Sequence, residues 1–193
     1  MSRIFFRRKT LRICVVWCLY SCVSIVAASS AIAGDGQADS SRDDQKVLAQ
    51  AQKVMQDFRV RKASFAQFRS AMARLPGIAD RALAAKLLVS GIDCEEPEAL
   101  DEDRDGSFSS PFANFETRYP CVELVLGMGT DSVQSLVQEL KTPRSATSKL
   151  LAQFALLRVL GVRQARDVLE EELENTTSVK EKRRVQAVLD TLR

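Results

Sequence analysis

Apolar residues recur every 32 positions through the C-terminal part of this 193-residue chain. Leu124, Leu156 and Val188 form one series, Val125, Leu157 and Leu189 a second, and Met128, Leu160 and Leu192 a third. Gly129 and Gly161 keep the same spacing, and Val133, Leu136 and Val137 match Ala165, Val168 and Leu169. Polar breaks come after these units at Thr142-Pro143-Arg144 and at Asn175-Thr176-Thr177-Ser178. A fixed period of this length marks a repeated supersecondary unit. Each unit reads as helix, glycine turn, helix. One helix pair cannot bury its apolar face alone, so such units must stack.

The residues Leu124-Val125-Leu126-Gly127-Met128-Gly129 with Val133 to Leu140, and Leu156-Leu157-Arg158-Val159-Leu160-Gly161 with Ala165 to Leu173, resemble HEAT-like repeats of the short two-helix kind. The resemblance covers residues 121–193 and about two and a half units. The first half of the chain does not repeat. The resemblance implies a protein-binding or scaffolding role, with no reaction attached to it.

Upstream, the stretch from Asp43 to Leu75 lacks glycine and proline. Val47, Ala51, Val54, Phe58, Phe65, Phe68, Met72 and Leu75 fall on a seven-residue pattern, broken only by Arg61. The pattern predicts one amphipathic helix, or two meeting near Arg59–Lys62, ended by Pro76-Gly77. Such a stripe either packs on its own domain or forms a coiled-coil-like seam in a homo-oligomer. A further helix is expected from Ile78 to Ile92, with Leu83, Leu87 and Leu88 inward and Gly91 near its end.

The first 33 residues read as an export signal. Arg3, Arg7, Arg8, Lys9 and Arg12 form a basic flank, Ile13 to Ala28 is apolar, and Ala31-Ile32-Ala33 makes a small-residue cleavage site before Gly34. Two alternatives stay open. Residues 13–33 have the length of an uncleaved membrane anchor, and Leu19-Tyr20-Ser21-Cys22 resembles a lipobox with a bulky Tyr20. The remainder is exported under each reading, to the periplasm or the extracellular space. Gly34 to Asp44, rich in Gly, Ser, Asp and Gln, is expected to be a disordered tether.

The leader also distorts the charge. It holds five of the 28 basic residues and none of the 25 acidic ones, so residues 34–193 carry two more acids than bases. The basic excess of a nucleic-acid-binding domain is missing, and nucleic acid is not expected as a partner. The chain has no histidine. That excludes Ser-His-Asp and Cys-His catalysis and His-ligated metal sites. No constellation of carboxylates or lysines stands out, so the protein is expected not to be an enzyme and to need no certain cofactor.

Two cysteines, Cys94 and Cys121, lie beyond the leader. In an oxidising compartment they are expected to pair as a disulfide, with buried free thiols as the alternative. They flank a long polar loop, residues 93–120, rich in acids and in the aromatics Phe108, Phe112, Phe115 and Tyr119. Within it, Asp101, Asp103 and Asp105 alternate before Gly106, with Ser107 and Ser109 beyond. The spacing matches the start of an EF-hand-type calcium loop, in which the Ser107 carbonyl would add a further oxygen and Ser109 another, directly or through water. Position 12 is Phe112, so the bidentate glutamate is missing, and a solvated acidic loop is the competing reading. Lys180-Glu181-Lys182-Arg183-Arg184 reads as a solvated face of a terminal helix or as an anion-binding patch.

The expected architecture is therefore all-α. Signal peptide 1–33 and tether 34–44 precede N-terminal helices over 45–92, arranged as a long helix or helical hairpin. The acidic loop insertion 93–120 comes next, then HEAT-like repeats over 121–193. The expected role is an exported protein-interaction or scaffold module with an unidentified protein partner. The alternative is a calcium-dependent structural or adhesion-type protein. A membrane is involved only if the signal stays uncleaved.

Overall fold

Short polar side chains set where four of the helices begin. The Ser64 hydroxyl accepts from the Gln67 backbone N–H, while the Gln67 side chain accepts from the Ser64 N–H, a reciprocal cap. Ser145 and Ser148 repeat that arrangement. Asp80 accepts from the Leu83 N–H at 2.9 Å, and Ser178 from the Glu181 N–H. Each cap satisfies N–H groups that a helix start leaves without an internal partner.

The computed structural model describes residues 34–96 and 115–192. The elements are α1 (Gly34–Arg59), α2 (Phe65–Met72), a 3-10 turn (Leu75–Gly77), α3 (Arg81–Ser90), α4 (Phe115–Arg118), α5 (Pro120–Met128), a second 3-10 turn (Gly129–Ser132), α6 (Val133–Lys141), α7 (Ala146–Asn175) and α8 (Val179–Thr191). The fold is all-α, with no strand among the described residues. The chain divides into a unit Met1–Ser41 and a compact unit Arg42–Arg193. Of the first unit, residues 34–41 are described and are helical. The stretch 34–44, expected as a disordered tether, thus lies within α1. The stretch carries no proline to break a helix. The leader 1–33 lies outside the described residues.

The heptad-spaced stripe is divided between two helices. α1 stops at Arg59 in a Schellman arrangement: the Arg61 N–H donates to the Phe58 carbonyl at 2.9 Å and the Lys62 N–H to the Asp57 carbonyl at 2.7 Å. Arg61, the residue that interrupts the apolar pattern, takes the left-handed position of this turn with φ 59°. Ala51, Phe68, Met72 and Leu75 are buried, and Val47, Val54, Phe58 and Phe65 pack on the same core. Phe58 stacks on Phe68 with ring centroids 4.8 Å apart. Full burial of a side chain of this size stabilises by about 1.5–3 kcal/mol.

Of the residues expected inward on α3, Leu88 is buried and Leu87 packs on the core, but Leu83 is not. Ala84, Ala85, Leu88 and Val89 are buried, while Leu83 is 43 % exposed. The Asp80 cap starts the helix at Arg81, and the i, i+4 pairs Ala84/Leu88 and Ala85/Val89 then form the stripe. Small alanines let α5 approach closely. A single core extends from these helices through Val122, Val125, Leu136, Leu140, Leu151, Leu156, Leu169, Val185 and Val188.

Both repeat glycines break a helix. Gly129 ends α5 with φ 58° and ψ −133°. Gly161 interrupts α7 with φ 73° and ψ 164°, so α7 is two helices, 146–160 and 162–175. These values fall in regions that glycine adopts and side chains resist.

The polar loop is shorter at its C-terminal end than residues 93–120. Phe115–Arg118 is a helical turn and Pro120 opens α5 as its first residue. The expected disulfide is corrected: Cys94 and Cys121 are free, buried thiols. The two flanks of the segment are tied by backbone instead, with the Glu96 N–H donating to the Arg118 carbonyl at 2.9 Å. Arg118 also forms an ion pair with Glu95.

Candidate interaction face

α6 lies between α3 and the second half of α7 and separates two open grooves. Val133, Leu136, Val137 and Leu140 turn α6 inward, which leaves Gln134 and Gln138 exposed one turn apart. The first groove, 660 Å³, runs between them and Ala82, Leu83 and Lys86 of α3. The second, 530 Å³, runs between the same glutamines and Val168, Glu171 and Asn175 of α7. Each amide carries donors and an acceptor without charge.

Ion pairs close the ends of this face. Arg144 Nε donates to Glu139 at 3.0 Å, and its backbone N–H donates to the other carboxylate oxygen at 3.0 Å. Lys141 reaches Glu172 at 2.5 Å and Glu181 at 3.7 Å. These carboxylates hold the Lys141 ammonium above its ordinary value, the hydrogen bond to Glu172 first. Arg184 donates to the Lys141 carbonyl at 2.9 Å. Glu181 and Arg184, part of the basic run 180–184, thus join α8 to α6.

Asp93 is the junction that sequence reasoning missed. Its carboxylate accepts from the Ser145 hydroxyl at 2.9 Å and lies 3.7 Å from Arg59 and 3.9 Å from Arg144. Arg144 also donates to the Val89 carbonyl at 2.6 Å, and Arg59 to the Ser90 carbonyl. One carboxylate thereby ties the end of α1, the end of α3 and the start of α7. The sequence places Asp93 at the head of an acidic run and gives no sign of this role. The spacing of Gln134 and Gln138 between core residues was a legible signal for an exposed face.

The thiols lie beneath this junction. Cys121 is fully buried and Cys94 is 5 % exposed. Burial pushes the Cys121 thiol well up, and the neighbouring Cys94 adds to the shift. Burial likewise raises Cys94, partly opposed by Arg59. Both stay protonated and poorly nucleophilic at neutral pH.

Asp101, Asp103, Asp105, Ser107 and Ser109 lie outside the described residues. Among the described residues no three His, Cys, Asp or Glu side chains are placed to hold a metal ion. No described helix is long and apolar enough to cross a membrane. No protein-family model, no curated protein and no solved structure matches the chain.

Proposed function

We propose that the protein is an exported helical-repeat module that binds a partner protein along the face centred on α6. The observation that carries this reading is the pair of grooves on either side of Gln134 and Gln138. Open grooves floored by packed helices and edged with neutral amides suit a peptide backbone, whose N–H and C=O groups need partners when desolvated. A deep pocket for a small molecule would instead enclose most of its ligand. The 32-residue period, with Gly129 and Gly161 both at positive φ, supports the HEAT-like relationship, and the leader composition supports export. A photo-crosslinking side chain placed at position 138 of the full chain tests the reading in cells. A discrete adduct is expected there and none at position 150 on the first half of α7. The same pattern from both positions would sink it.

The spacing of Asp101, Asp103 and Asp105 supports a second reading, calcium-dependent ordering of the acidic segment. Thermal unfolding in millimolar calcium and in chelator tests it. A higher Tm with calcium is expected, and identical curves count against it.

A further inference from the structure

The turn between α1 and α2 carries a conformational cost. Arg61 occupies the left-handed position of the Schellman turn with φ 59°. Glycine is the usual residue there, and a side chain in this region costs about 1–2 kcal/mol. Arg61 forms no ion pair with the described residues. Lys62, next along, is exposed and without an ionic partner among them. Val60 is 61 % exposed at the same tip. Strained cationic and exposed apolar side chains together at a loop tip point to a contact outside the fold.

Beside the tip is a 630 Å³ cleft whose lining includes Phe58, Phe65, Arg59, Arg61, Asp93 and Glu95. The cleft's charges are unevenly matched. Asp93 is engaged by Arg59, Arg144 and Ser145, and Glu95 by Arg118. Arg61 lines the cleft and Lys62 stands next to it in the chain; both are exposed and form no ion pair among the described residues, and Phe58 and Phe65 give the lining an apolar part. We propose that this turn and cleft dock an acidic peptide segment of a partner protein, with an apolar side chain seated against Phe58 and Phe65 and carboxylates on Arg61 and Lys62. An anionic membrane is disfavoured as occupant. Two free cations supply about 1 kcal/mol each at a charged bilayer, where clusters of about four to eight are usual.

The site is separate from the α6 grooves, so each can fail alone. The test uses the full chain and a fluorescein-labelled peptide, Asp-Glu-Leu-Asp-Glu-Phe, in fluorescence anisotropy, with a lysine-substituted peptide as control. Arg61→Gly is expected to raise Tm by about 2–4 °C while weakening the acidic peptide about fivefold. Val60→Ser and Lys62→Gln are expected to weaken it without raising Tm. Binding should fall with added salt. Gln134→Ala with Gln138→Ala should leave it unchanged. Equal affinity of Arg61→Gly and wild type overturns the proposal, as does loss of binding in the glutamine variant. Co-sedimentation of wild type, but not Arg61→Gly, with phosphatidylglycerol vesicles and no peptide binding also overturns it, in favour of a lipid surface.

Discussion

Gly129 and Gly161, 32 residues apart, each separate two helical segments and both turn the chain at positive φ, 58° and 73°. No atom lies within 4 Å of where a Cβ would stand at either one. The requirement for glycine is therefore conformational and not steric. Gly129→Ala and Gly161→Ala are each expected to cost about 1–3 kcal/mol, read as a lower urea midpoint with unchanged m-value. The sites share no partner, so the double variant should be close to additive. A loss under about 0.5 kcal/mol, the scale of ordinary surface substitutions, would contradict the assignment.

Gly91 needs to be small for a different reason. A Cβ there would stand 3.2 Å from Cys121 Sγ, 3.4 Å from Met55 Sδ and 3.5 Å from Phe68. Its backbone is otherwise ordinary, with φ −98°. Gly91→Ala is expected to destabilise by about 1 kcal/mol through overpacking. The paired variant Gly91→Ala with Cys121→Ala should recover part of that, measured by chemical denaturation as a double-mutant cycle.

The buried thiols give alkaline conditions a direction. Cys94 and Cys121 have raised pKa values in the folded chain, whereas unfolded thiols ionise from about pH 8.5. Above that pH the unfolded state binds fewer protons than the folded one, so stability falls as pH rises. Tyr119, raised chiefly by burial and then by Glu95, adds to the loss at higher pH. Tm is expected to decline between about pH 8 and 10, with a shallower slope in Cys121→Ala. Both thiols should resist Ellman's reagent in the folded chain and react in denaturant.

Removing the Asp93 carboxylate should loosen three segments at once. Asp93→Ala leaves the Ser145 hydroxyl without its acceptor and Arg59 and Arg144 without their shared anion. A loss of about 1–3 kcal/mol is expected, diminished in high salt because the site is part exposed. Hydrogen exchange should quicken at the start of α7 and the end of α3. A change confined to residues 93–96 would show that Asp93 serves only its own loop.

Helix content and the division of the N-terminal stripe near Arg59–Lys62 could both be read from sequence, because each is a local regularity. Ser64, Gly129 and Gly161 act within one or two turns of their own backbone. Leu87 and Leu88 of α3 pack on the core as expected, but Leu83, apolar and just past the Asp80 cap, is exposed, because the orientation of the helix depends on what α5 offers it. The role of Asp93 was hidden for the same reason: Arg59 and Arg144 lie far from it in sequence.

Sequence by itself thus determined the all-α class and the break near Arg59–Lys62, since turns and periodic stripes are short-range effects. Tertiary structure decided which carboxylate becomes a junction, why two cysteines stay buried as thiols, and which glutamines edge the grooves. Those outcomes depend on which surfaces meet when the helices pack. Desolvation and charge pairing then fix the chemistry of groups that the chain brings together only on folding.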